Sequence, residues 1–128
     1  MGVSGRTWIL ALLGQKTIDP LVSRRVSMIK SDARALIRIA NKIERALSSA
    51  SEINDESVAV KGGLLRNLTA AENQLMRSIA GATSASFSVR VIEQDVIRPI
   101  LQSEVIVSVL AHGAIERAIR SAALDVPS

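Results

Sequence analysis

The chain has 128 residues, of which 48% are hydrophobic and 22% are charged, and its formal net charge is +4. This length suits one domain with a single core, and the hydrophobic content is too high for an intrinsically disordered chain. Cysteine is absent, which excludes disulfides, cysteine-ligated metal centres and thiol catalysis.

The positive charge is concentrated in the first part of the chain. Residues 1–50 contain nine basic and three acidic side chains, whereas residues 51–128 contain seven basic and nine acidic ones. This asymmetry suits an anionic partner for the basic part, and it equally suits a head-to-tail contact between copies of the chain.

Residues 1–18 are predicted to be an N-terminal docking segment. Its apolar run is formed by Trp8, Ile9, Leu10, Leu12 and Leu13. The run is much shorter than the roughly 20 residues of a membrane-spanning helix, and no cleavage site of a secretory signal follows it. The segment would dock onto a protein neighbour or lie in a membrane surface, and we expect the chain in the cytoplasm or in an assembled particle.

A long helix is predicted over about residues 20–50. Asp19 can cap its first amides, and Pro20 suits the first helical position. Apolar residues then alternate at intervals of four and three, which is a heptad pattern. The members of this seam are Val22, Val26, Ile29, Ala33, Leu36, Ala40, Ile43 and Leu47. We expect the seam to be a self-association surface, in a coiled coil or, because Ile37 and Ile39 widen it, in a helical bundle.

A second helix is predicted over residues 58–80, after a turn rich in serine and acidic residues. Gly62 and Gly63 weaken its start, because glycine costs about 1 kcal/mol relative to alanine inside a helix. Thr69 opens a capping-box pattern, which predicts that the helix restarts there and is most regular from Ala70 onward.

The last part of the chain is predicted to be a short helix over residues 89–98 and a long helix from Pro99 to Leu124. Polar residues recur every fourth position in the long helix and form one narrow ridge. The members of the ridge are Glu104, Ser108, His112, Glu116 and Arg120. A strand over residues 105–110 is the alternative, because this run is rich in β-branched residues.

A basic stripe lies opposite the seam on the first long helix. It consists of Arg34, Arg38, Lys42 and Arg45. The stripe is a solvated helix face or a contact for an anion such as a nucleic-acid backbone. Contact with bases is not expected, since no aromatic side chains are interleaved with these charges.

The sequence contains no arrangement of residues that is typical of an active site. His112 is the only histidine, and with Glu116 one turn later it predicts a solvated surface pair. We expect no enzymatic activity, no metal, no cofactor and no small-molecule substrate.

These observations predict an all-α fold of three to four helices. The expected architecture is an elongated helical bundle over residues 19–128, a single helical domain with one long heptad-patterned helix and a C-terminal helix interrupted at Pro99. The expected function is that of a non-enzymatic assembly subunit that packs with copies of itself and with other protein subunits, as in a virion or a secretion apparatus. The alternatives are a small nucleic-acid-associated protein and a peripheral membrane protein anchored by its N-terminal segment.

Overall fold

A computed structural model describes residues 20–49, 55–83 and 88–125 of the chain. These residues form an all-α helical bundle, and none of them lies in a β-strand. The N-terminal docking segment, with the apolar run from Trp8 to Leu13, lies outside the described residues, and so does the capping residue Asp19.

The described residues form four helical stretches, the third of which changes from α-helix to a π-helical turn and back to α-helix. In chain order these elements are α1 (Pro20–Ser49), α2 (Asp55–Thr83), α3 (Val89–Ile92), a π-helical turn (Glu93–Ile97), α4 (Arg98–Ser103) and α5 (Val109–Asp125). The π-helical turn connects α3 to α4 without a break, so residues 89–103 form one continuous helical run. The prediction of a first helix over about residues 20–50 is confirmed by α1.

Helices α1 and α2 pack against each other in antiparallel orientation. The Ser78 hydroxyl of α2 donates to the Asp32 carboxylate of α1 at 2.5 Å, and the Arg25 guanidinium donates to the Gly81 carbonyl. Earlier residues of α1 therefore meet later residues of α2, as expected for consecutive helices joined by a short connection.

One hydrophobic core is shared by all the described helices. It is made almost entirely of small and medium aliphatic side chains, which lets the helices approach closely. The buried residues are Val26, Ile29, Ala33, Leu36, Ile37, Ala40, Ile43, Leu68, Leu75, Ile79, Ala82, Ile92, Val96, Ile97, Ile100, Ala111, Ala114, Ile115, Ala118 and Ala122.

The seam of α1 belongs to this core, which corrects its expected role as a self-association surface. Six of its eight members are buried, from Val26 through Ile43, and Val22 packs against their edge. The helices that cover them are α2, the π-helical turn, α4 and α5 of the same chain. Only Leu47 is largely exposed. In the folded chain the six buried members of the seam are therefore not accessible to a second copy.

Helix α2 is longer and more regular than predicted. It runs through Thr69 without a restart, and the Thr69 hydroxyl donates back to the Leu65 carbonyl at 3.1 Å. The Glu72 carboxylate, which a capping box would need, instead binds Arg117 of α5. The helix also continues past Gly81 to Thr83. The predicted capping box is thus wrong, because the Thr69 hydroxyl bonds within its own helix and Glu72 makes a tertiary contact.

The predicted helix from Pro99 to Leu124 is wrong in its middle. Pro99 lies at the start of α4, but α4 ends at Ser103, and residues 104–108 are neither helical nor paired as a strand. Helix α5 begins at Val109, where the Ser108 hydroxyl accepts a hydrogen bond from the Ala111 N–H at 3.1 Å. Glu104 and Ser108 therefore precede α5, and the polar ridge is not continuous.

The β-branched residues 105–107 explain why the long helix is interrupted. Their stiff side chains lower helix propensity, and Asn41 of α1 supplies hydrogen bonds to the non-helical backbone at Ile106 and Ser108. The strand alternative is wrong as well, because in the described part of the chain no second strand lies beside this segment.

Candidate binding surface

Three large aliphatic side chains that lie close together in the sequence are exposed, two in the segment between α4 and α5 and one at the first residue of α5. Val105 is 97% exposed, Val109 is 80% exposed and Ile106 is 67% exposed. We call these three residues the aliphatic cluster. A group of this kind differs from a single exposed apolar residue, because neighbouring apolar side chains form a surface that a partner can cover.

The backbone beneath the aliphatic cluster is held by the carboxamide of Asn41. The Asn41 Nδ2 donates to the Ile106 carbonyl at 2.9 Å, and the Asn41 Oδ1 accepts from the Ser108 N–H at 2.9 Å. The side chain of Val107, between the two bonded residues, packs against the core. The backbone that carries the cluster is therefore held on one side by Asn41 and on the other by the packing of Val107 against the core.

An open groove of about 820 Å³ separates α1 from the segment that carries the aliphatic cluster. Its lining includes Arg38, Lys42 and Arg45 on α1 and Ile106 on the opposite wall. One acidic residue, Glu44, also lines it. The groove combines apolar surface with an excess of positive charge, which suits a partner that is both anionic and apolar.

All four residues of the basic stripe are exposed on the outer face of α1. Arg34 lies near Glu104, with 3.8 Å between Arg34 Nε and Glu104 Oε1, and both side chains are substantially exposed. An ion pair of this length and exposure contributes little and leaves the charge of Arg34 available to other partners.

Arg24 continues the basic stripe toward the start of α1. Arg24 and Lys42 are 18 residues apart, which corresponds to about five helical turns and places them on the same side of the helix. Arg24 is exposed, and the distance along the axis from Arg24 to Arg45 is about 32 Å at 1.5 Å per residue. The Asp32 carboxylate, which also belongs to α1, accepts a hydrogen bond from Ser78 of α2.

The other residues singled out in the sequence do not come together as a site. His112 and Glu116 are both exposed on α5. One carboxylate oxygen of Asp95, in the π-helical turn, is buried without a hydrogen-bond partner among the described residues. Within the described ranges, no three acidic or histidine side chains are close enough to hold a metal ion.

Two features of the binding surface are missed by the sequence analysis. The exposure of Val105, Ile106 and Val109 is missed because their spacing predicts a helix. The role of Asn41 is missed because its two partners lie 65 and 67 positions later in the chain. The β-branched run is the signal for the first feature, and no local pattern marks the second.

None of the described helices combines the length and the hydropathy needed to cross a bilayer. No protein-family model, no curated protein and no solved structure matches this chain.

Proposed function

We propose that the chain is a non-enzymatic assembly subunit that acts through its contacts with copies of itself and with other subunits. The observation that carries the proposal is the aliphatic cluster, Val105, Ile106 and Val109. Full burial of one such side chain contributes about 1.5–3 kcal/mol. Burial of all three provides a driving force for association that the described part of the chain does not use.

The aliphatic cluster takes over the role that was expected of the seam. The seam is covered by the chain's own helices, whereas the cluster is not covered by any described residue. The contacts of Asn41 fix the backbone of the cluster before a partner arrives, which lowers the entropy that association costs.

The positive charges near the aliphatic cluster make association between copies depend on the salt concentration. The groove beside Ile106 carries Arg38, Lys42 and Arg45, so two copies that meet at the cluster bring like charges together. Salt screens such repulsion over a Debye length of about 10 Å at 0.1 M. We therefore expect self-association to become stronger as the salt concentration rises.

Sedimentation velocity over a range of protein and salt concentrations tests the proposal. The wild-type chain should form oligomers at high concentration, and a variant with Val105→Ser, Ile106→Ser and Val109→Ser should remain monomeric. Leu65→Ser is the control, because Leu65 is an exposed apolar residue on a different helix, α2. A wild-type chain that stays monomeric in high salt contradicts self-association.

A second candidate function is binding to a nucleic-acid backbone along the basic stripe. The observation that favours it is the row of exposed basic side chains that extends about 32 Å from Arg24 to Arg45. Such binding would not depend on base sequence. Replacing Arg34, Arg38 and Arg45 with Gln should reduce the slope of log affinity against log salt by about two to three units.

A further inference from the structure

We propose that the aliphatic cluster and the basic stripe together form a docking surface for an anionic lipid bilayer. The inference goes beyond the proposed function, because the same aliphatic cluster would contact lipid where an anionic bilayer is present and a protein partner where it is not. It differs from the expectation of an N-terminal membrane anchor, because the residues that carry it lie on α1, on the segment before α5 and at the first residue of α5.

The two parts of this surface meet at Ile106. Ile106 lines the same groove as Arg38, Lys42 and Arg45. Next to this groove, Glu104 at the start of the aliphatic segment approaches Arg34 of the stripe. A single extended partner that covers the cluster therefore also meets the positive charges of α1.

An anionic bilayer satisfies both parts at once. Its phosphate groups match the guanidinium and ammonium groups of the stripe, and its acyl chains accept the side chains of Val105, Ile106 and Val109. A nucleic acid offers phosphate but no hydrocarbon. A second copy offers hydrocarbon, but it brings a basic groove of its own. Charge complementarity together with apolar exposure therefore favours the lipid surface.

The shape of the surface gives the orientation of the bound chain. The basic stripe follows the axis of α1, so α1 would lie parallel to the membrane with its charges at the level of the headgroups. Val105, which is 97% exposed, would enter the boundary between headgroups and acyl chains. No complementary pocket is needed for this insertion, because a fluid bilayer adapts to the side chain.

Flotation of the full chain with vesicles tests the proposal. One set of vesicles contains phosphatidylglycerol and phosphatidylcholine in equal parts, and the other contains phosphatidylcholine alone. The wild-type chain should float with the anionic vesicles and not with the neutral ones. Because one basic residue near an anionic surface contributes a factor of about five, a variant with Arg38→Gln, Lys42→Gln and Arg45→Gln should bind about 100-fold more weakly.

Two further variants distinguish binding through this surface from a general effect of the chain's net positive charge. The first, with Arg66→Gln, Arg90→Gln and Arg120→Gln, removes three exposed bases elsewhere on the chain, and its affinity should fall far less than that of the stripe variant. The second is the variant with Val105→Ser, Ile106→Ser and Val109→Ser. Its affinity for anionic vesicles should be at least about 10-fold lower than that of the wild type. Circular dichroism and urea unfolding verify that each variant is folded.

Several results would overturn the inference: no flotation of the wild type, equal flotation with neutral vesicles, equal losses in the two triple glutamine variants, or full binding by the serine variant. If the wild type does not float but binds a short duplex DNA through the stripe, the nucleic-acid function replaces it. Salt distinguishes the inference from self-association, since salt should weaken flotation and strengthen oligomers. A failure of flotation with intact self-association affects this inference alone.

Discussion

Asn41 and Ser108 are joined by a 2.9 Å hydrogen bond between the Ser108 N–H and the Asn41 side-chain oxygen, although they are 67 positions apart in the chain. Ser108 in turn caps α5 by accepting the Ala111 N–H. One amide side chain of α1 thus determines where the last helix begins.

Asn41→Ala should destabilise the fold by about 1–3 kcal/mol. The substitution leaves the Ser108 N–H and the Ile106 carbonyl without their partner, and loss of a hydrogen bond to a partly buried group costs that much. Urea unfolding followed by circular dichroism measures the change. Asn73→Ala is the matched control, since Asn73 is an exposed asparagine on α2. Equal stability of the two variants would show that the contacts of Asn41 contribute nothing.

Leu36→Ala and Leu47→Ala should have very different effects, although both residues belong to the seam. Leu36 is fully buried and Leu47 is 52% exposed. Truncation of a buried leucine costs about 2–5 kcal/mol, whereas most surface substitutions change stability by less than about 0.5 kcal/mol. The loss at Leu36 should not depend on protein concentration. A loss that disappears at high concentration would mean that the seam packs between copies instead.

Gly62→Ala and Gly63→Ala should each stabilise the protein by about 0.5–1 kcal/mol. Both glycines lie inside α2, neither has a positive φ, and an added Cβ would meet nothing within 4 Å. Alanine in a helix interior is favoured over glycine by about this amount. Gly113→Ala is the comparison, because its Cβ would touch Arg117 at 3.4 Å, and it should gain less. Thermal unfolding measures the change in stability. A lower melting temperature for Gly62→Ala or Gly63→Ala would contradict the prediction.

The ion pair between Arg117 and Glu72 should couple α5 to α2 only weakly. Arg117 Nη2 lies 3.0 Å from Glu72 Oε1, and the side chains are 53% and 23% exposed. A double-mutant cycle with Arg117→Gln and Glu72→Gln should give a coupling energy of about 0.3–1 kcal/mol that decreases in high salt. A value of several kcal/mol, unaffected by salt, would contradict this expectation.

The parts of the fold that can be predicted from the sequence are those fixed by local patterns. The heptad intervals from Val26 to Ile43 identify the buried side of α1, because a helix with that periodicity presents those residues on one face. The basic stripe is predictable for the same reason, since its residues share one helix.

The parts that cannot be predicted depend on contacts between distant positions. Thr69 and Glu72 form a capping-box pattern, but Glu72 binds Arg117, 45 positions away. Val105 and Val109 have a helical spacing, but Asn41 stabilises a non-helical backbone between them. A local pattern cannot reveal such partners, so the break before α5 and the exposed cluster required the structure.

The position of Asn41 early in the chain also has a consequence for the order of folding. Helices α1 and α2 are joined by a short connection, so their pairing closes a small loop, whereas the contact between Asn41 and Ser108 must close a loop of 67 positions. During synthesis the earlier part of a chain emerges and folds first. The Asn41 side chain, which bonds to the backbone at Ile106, is therefore already in place on α1 when Val105 and Ile106 emerge from the ribosome. This order shortens the time in which a strongly apolar run remains unattached in a nascent chain.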